Sequence, residues 1–141
     1  MKRKIKIIYE EASDIKEKIL EIINVLNLKH IQLDALACIR SKNARTSAIA
    51  RCYSLSKPLQ IAFKLSPRYV IEVVSEKFDK LSEEEKTKVL IHELLHIPKN
   101  FGGGFRHHNF VNSKSVEQFY KKYKQSINLY SEIEKTAKDE N

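Results

Sequence analysis

The chain has 141 residues, 42% hydrophobic and 31% charged, with no tryptophan and few glycines or prolines. That length and composition fit one globular domain with a real core and leave no room for two. The formal charge of +8 and pI near 9.4 bear on partners and solubility rather than on fold. The basic residues are spread out, in KRK at 2–4, at Arg40, Lys42, Arg45 and Arg51, and in KKYK at 121–124. They are compatible with a nucleic-acid-facing surface and equally with a solvated basic face.

In chain order, the N-terminal apolar stretch breaks at Lys6 and ends at Tyr9, too short for a secretory segment. No run is long enough to cross a bilayer, so a cytoplasmic chain without a membrane partner is expected. Ile15, Ile19, Ile22, Ile23 and Leu26 recur at helical spacing, which predicts a helix N-capped by Ser13. The pattern then becomes strand-like. IQLDALACIR (31–40) and SAIARCYSL (47–55) alternate and are joined by polar SKNART, which predicts a hairpin. LQIAFKL (59–65), between Pro58 and Pro67, is a third candidate strand, and YVIEVV (69–74), rich in β-branched residues, a fourth. Cys38 and Cys52 fall in strand-like segments without CxxC spacing. Reduced thiols are expected, and two cysteines are too few for a zinc ribbon.

At Ser82 the period changes. Ser82 with Glu85 three residues on is a capping box, and three glutamates in the first turn suit the positive end of the helix dipole. Pro98 stops this helix, placing it over Glu83–Ile97. A loop with all three glycines follows. Val116, Tyr123 and Tyr130 at every seventh position then predict a long amphipathic helix over about 115–138, with Tyr120 and Tyr123 as core residues. Helix, three or four strands, helix, loop and helix make a single α+β domain over 1–141.

The chemistry concentrates in IHELLHIPKNFGGGFRHHNF, residues 91–110, which holds four of the five histidines. On a helix, residues four apart share a face with Cβ atoms about 5–6 Å apart. His92 and His96 can therefore direct two imidazoles at one point, the bite a zinc ion needs. Glu93 lies about 100° round the helix, beside the metal position, where its carboxylate can take a proton from an attacking water. Apolar neighbours Val89, Leu90, Ile91, Leu94, Leu95 and Ile97 imply a mostly buried helix whose polar residues need partners. A catalytic zinc usually has three protein ligands and an open position. His107, His108 and Glu117 are the candidates for the third; the HExxHxxGxxH spacing is absent.

HELLHIPKNFGGGFRHHNF, with YVIEVVSEKFDKLSEEEK before it, resembles the metallopeptidases of archaea and their viruses and phages, relatives of the SprT-like proteases among the zincins. The resemblance spans about residues 40–110. It implies a small zincin-like domain in which the strand before the active helix, Tyr69–Val74, is an edge that binds substrate as an added strand. The family's loop pattern of two glycines, a bulky residue, arginine, any residue and histidine fits Gly103, Gly104, Phe105, Arg106, His107 and His108. The resemblance therefore points to His108 as third ligand. One departure is that many SprT-like proteases carry a cysteine-rich zinc module, which this chain lacks the cysteines to form.

The resulting expectation is a zinc-dependent metallopeptidase with a mostly antiparallel sheet. His92, His96 and His108 hold one Zn²⁺, and Glu93 serves as general base. Peptide or protein is the substrate, and Arg106 is a candidate for holding an oxyanion or a substrate carboxylate. Two alternatives are a metal-dependent hydrolase of nucleic acid and a non-catalytic, zinc-stabilised module that binds nucleic acid or protein. Glu93 counts against the second, because a structural site gains nothing from a carboxylate beside the metal.

Overall fold

The computed structural model describes residues 5–139; the basic KRK at 2–4 lies outside them. Its sheet is built from β1 (Ile8–Glu11), β2 (Leu36–Lys42), β3 (Ala50–Ser54) and β4 (Tyr69–Val74). The strand order is β1-β2-β4-β3. β4 runs parallel to β2, with Leu36 opposite Tyr69 and Cys38 opposite Ile71, and antiparallel to β3, with Cys52 opposite Ile71. β1 closes the far edge against β2.

Two expectations are corrected here. The segments at 31–40 and 47–55 do not pair as a hairpin, because β4 lies between them. The near-continuous apolar run of β4 suits a strand buried on both faces, which belongs in the middle of a sheet. The 43–49 connection instead passes over the end of β4. The Val74 amide donates to the Ile49 carbonyl at 2.9 Å, and the Lys77 ammonium to the Thr46 carbonyl. For the same reason Tyr69–Val74 is not an edge; the free edge on this side is β3.

A third correction concerns residues 59–65. The segment Lys57–Phe63 is helix α2, with Ser56 at its N-cap, Pro58 in its first turn and Lys64 in the left-handed region at its end. Pro58 supplies a pre-set helical φ where a missing N–H costs nothing. Helix α1 (Ser13–Val25) is present, but Ala12 occupies its N-cap position without a side-chain bond. The Ala12 amide is drawn instead to the Cys38 carbonyl at 3.1 Å, since β1 feeds directly into the helix.

Short α3 (Ser75–Phe78) follows β4. Helix α4 (Glu83–Leu95) then starts as expected, with the Ser82 hydroxyl accepting from the Glu85 amide at 3.2 Å, and His96 forms its C-cap. Helix α5 (Ser113–Asp139) is the long final helix. The core lies between the helices and one face of the sheet: Ile15, Ile19 and Ile22 of α1 and Leu90, Ile91 and Leu94 of α4 meet Leu36, Ile71 and Val73. Tyr123 is buried there too, while Tyr120 is only partly so. No helix among the described residues is long and apolar enough to cross a membrane. Of the scattered basic residues, Arg40 pairs with Asp14 at 3.0 Å and Lys42 with Glu10 at 3.3 Å.

The two thiols are separated by β4 and remain free. Burial pushes Cys38 up to about 11; burial, and then the Glu93 charge, push Cys52 up to about 12. The unfolded chain, with thiol pKa near about 8.5, loses these protons first. Stability is therefore intact below that pH and falls above it, at roughly 1.4 kcal/mol per pH unit for each thiol until the folded values are reached. The expected outcome is that replacing both cysteines by alanine flattens the alkaline loss of the urea midpoint between about pH 9 and 11.

Candidate metal centre

Helix α4 presents His92 to the space beside β3, and His96 follows one turn later at the C-cap. Their Nε2 atoms are 3.2 Å apart. Two nitrogens bound to one tetrahedral zinc at about 2.0–2.1 Å stand ~3.3 Å apart, so this spacing fits a shared ion. His108 joins them from the loop: one potential ligand nitrogen from each of His92, His96 and His108 lies within 4.8 Å of the others. The ring centroids are 4.9 to 5.8 Å apart.

The position of His108 follows from a two-point clasp. The Arg106 amide donates to the His96 carbonyl at 2.8 Å, using a helix-end acceptor that has no partner within the helix. The His96 Nδ1–H donates back to the Arg106 carbonyl at 2.6 Å. A carbonyl can only accept, so the ring proton sits on Nδ1 and the Nε2 lone pair is free for a metal. Burial, and then the neighbouring His96 and His108, hold His92 below its ordinary pKa, in the neutral form that metals bind.

The glycine run is staked from the sheet side. Tyr69 is 1% exposed. Its hydroxyl accepts from the Gly103 amide at 2.9 Å and donates to the Gly104 carbonyl at 2.8 Å. Its ring packs on Phe101 at 4.7 Å and edge-on to Phe105 at 6.1 Å. Gln60 of α2 donates to the carbonyls of Leu55 and Gly102 at 2.8 and 3.3 Å. Gly103 has φ +103°, and a Cβ there would stand 2.4 Å from Gln60 Nε2 and 2.9 Å from the Leu55 carbonyl. Only glycine fits both the conformation and the space. His30, far from the others in sequence, holds the turn just after α4 through its Nε2–H and the Ile97 carbonyl at 3.2 Å.

The other expected residues are placed differently. His107 stays outside the cluster; its carbonyl accepts from the Phe110 and Val111 amides, both at 3.0 Å. Glu117 is engaged by Lys88 at 2.7 Å. The Arg106 guanidinium lies over the Phe110 ring at 4.3 Å, while its backbone forms the clasp. Glu93 is 7% exposed, and burial raises its carboxyl to about 7. Sequence reasoning missed Tyr69 and Gln60. The usable signal was a tyrosine within a strand of apolar residues, whose hydroxyl must find a partner once buried.

A mixed sheet under an HExxH helix, with a third histidine returned by a clasped loop, defines a small zincin-like metal-site domain. More particularly, the chain belongs to the family described as "Putative phage metallopeptidase", whose model matches residues 7–140. That family places it among metal-dependent peptidases acting on peptide or protein. No curated protein and no solved structure matches the chain.

Tyr69→Phe removes one acceptor and one donor from the glycine loop while keeping the ring. The expected cost is about 1–3 kcal/mol of stability, read from denaturant midpoints, together with weaker metal retention in a chelator competition. Gly103→Ala is expected to act in the same direction.

Proposed function

We propose that the protein is a zinc-dependent metallopeptidase in which His92, His96 and His108 hold one Zn²⁺ and Glu93 is the general base and then the general acid. The observation that carries this reading is the convergence of three imidazoles, one with its tautomer set by the Arg106 carbonyl, beside a buried carboxyl raised to about 7.

Zinc bound there supplies a Lewis acid that acidifies water and polarises a carbonyl. The remaining work belongs to the chain. A carboxyl poised near neutrality accepts a proton readily and gives it up readily. Glu93 takes the proton of the attacking water and passes it to the departing amine nitrogen. The peptide C–N bond breaks, and a carboxylate and an amine leave. His92, His96 and the clasped loop hold the donor set rigid during this cycle.

Substrate lies along β3, the free edge beside α4, rather than along β4, both of whose edges are occupied. An extended peptide pairing with Ala50–Ser54 is brought alongside the face of α4 that carries His92 and Glu93. The pocket there joins Ile49 and Ala50 to these two residues.

The ligand set is tested by metal content of purified variants. His108→Ala is expected to lose zinc, while His107→Ala and Glu117→Gln keep it; retained zinc in His108→Ala removes the ligand assignment. Glu93→Gln is expected to keep zinc and fold while cleavage of an unfolded-protein substrate falls by roughly 10²–10⁴. Unchanged cleavage in that variant removes Glu93 from the mechanism.

A further inference from the structure

β1 is the edge of the sheet opposite β3, and among the described residues it has a strand on one side only. Edge strands present a row of unpaired N–H and C=O groups and are ordinarily blunted by a proline, a bulge or a covering loop. β1 has no proline, and Ile5, Ile7, Ile8 and Tyr9 are 46 to 65% exposed. In an antiparallel ladder alternate residues turn their backbone groups to the partner. The Ala12 amide reaches the Cys38 carbonyl at 3.1 Å, continuing the register that sets Ile8 against Lys42 and Glu10 against Arg40. The Lys6 carbonyl accepts from the Asn43 side chain on the same side at 3.2 Å. Lys6, Ile8, Glu10 and Ala12 therefore bond towards β2, which leaves the backbone of Ile7, Tyr9 and Glu11 directed outward.

The edge reads IKIIYEE over residues 5–11, with Lys6 near one end and Glu10 and Glu11 at the other. Two copies laid antiparallel join only where outward-directed residues stand opposite one another. With Ile8 opposite Ile8, Ile7 meets Tyr9 twice on one face, and Lys6 meets Glu10 twice on the other. A two-residue slide one way sets Ile8 against Glu10 and Ile7 against Glu11; a slide the other way sets Lys6 against Ile8. Of the three, the register centred on Ile8 alone matches opposite charges. Its Lys6–Glu10 pairs fall at positions without ladder bonds, where Cα atoms stand about 4.5 Å apart and side chains are closest. Glu10 already holds Lys42 at 3.3 Å, about half exposed, and a carboxylate has room for a second donor. β3, the other free edge, offers Arg51 and no carboxylate over Ala50–Ser54, so it has nothing to answer Lys6.

We infer that β1 is an interface for a second copy of this chain: the two β1 strands pair antiparallel about a two-fold axis at Ile8, and two four-stranded sheets become one of eight strands. A contact of this isologous kind occupies both β1 edges and closes at two copies. The β3 edges are left at the outer ends of the joined sheet, so both histidine clusters stay open. The added strand is the chain's own, and the interface stands whether or not the site is a peptidase.

The test is a charge swap read by sedimentation of the full chain, whose wild type is expected to form a dimer that dissociates on dilution. Lys6→Glu sets a carboxylate against Glu10, and Glu10→Lys sets an ammonium against Lys6. Each variant, checked for folding by melting, is expected to raise the dissociation constant about tenfold or more. The two variants complement each other, so their equimolar mixture is expected to recover the dimer. Ile8→Cys places two thiols across the axis within disulfide range and is expected to cross-link in glutathione disulfide, while Tyr9→Cys and the wild type do not. Should Glu10→Lys fail to fold, the Ile8→Cys linkage decides. A wild type still monomeric at about 1 mM, a dimer indifferent to Lys6→Glu, or a mixture no stronger than its components overturns the interface. Growth beyond two copies overturns the closure, and linkage through Tyr9→Cys in place of Ile8→Cys overturns the register.

Discussion

The site depends on two hydrogen bonds between His96 and Arg106. A helix ends with carbonyls that have no partner, and here the His96 carbonyl takes the Arg106 amide while the His96 ring returns a bond to the Arg106 carbonyl. One residue therefore turns a free Nε2 lone pair toward the histidine cluster and fixes the loop that brings His108 to it. Tyr69 and Gln60 hold the preceding glycines from the other side. Val111, fully buried, anchors the loop where it leaves for α5. A loop fixed at three points is ordered when the chain folds, so little ordering is left to oppose metal binding.

The strand order has an equally direct consequence. Placing β4 in the middle commits both its edges to β2 and β3 and leaves β3 open beside α4. The core-facing side of β4, Tyr69, Ile71 and Val73, then supports α4 from below. Tyr69 reaches past the end of the sheet to the glycine loop. A single strand thus supports helix α4 and the glycine loop, so a shift of β4 register would disturb both.

What was legible in the sequence was what is local. The Ser82 cap, the four-residue spacing of His92 and His96, and the adjacency of Glu93 are consequences of helix geometry over a turn or two. Strand order is not local: the alternation at 31–40 and 47–55 marks two strands without saying which strand each meets. The apolar run YVIEVV held a usable hint, since burial on both faces suits a central strand. LQIAFKL misled because its apolar spacing does not discriminate a short helix from a strand, and Pro58 after Ser56 was the better signal. The choice between His107 and His108 turns on which neighbour the Arg106 clasp points inward, a contact spanning ten residues. Tyr69 and Gln60 act across more than thirty residues and leave no mark in any local pattern.

Two buried glutamates are held in opposite ways, one by hydroxyl donors and one by burial alone. Glu72, 2% exposed in the middle of β4, accepts from Ser41 at 2.5 Å and from Tyr53 at 2.6 Å. Hydroxyls bonded to both oxygens leave little for a reacting group to contact, and they tie β2, β3 and β4 together. Glu93 is nearly as buried, but burial alone displaces its carboxyl. A carboxylate desolvated without compensating donors is costly to keep ionised, and that cost is what brings its proton affinity to the neutral range. The same burial that would make Glu93 a poor choice for stability makes it a good one for accepting and returning a proton. Cys52 on β3 lies near enough for the Glu93 charge to add to the burial that pushes its thiol up.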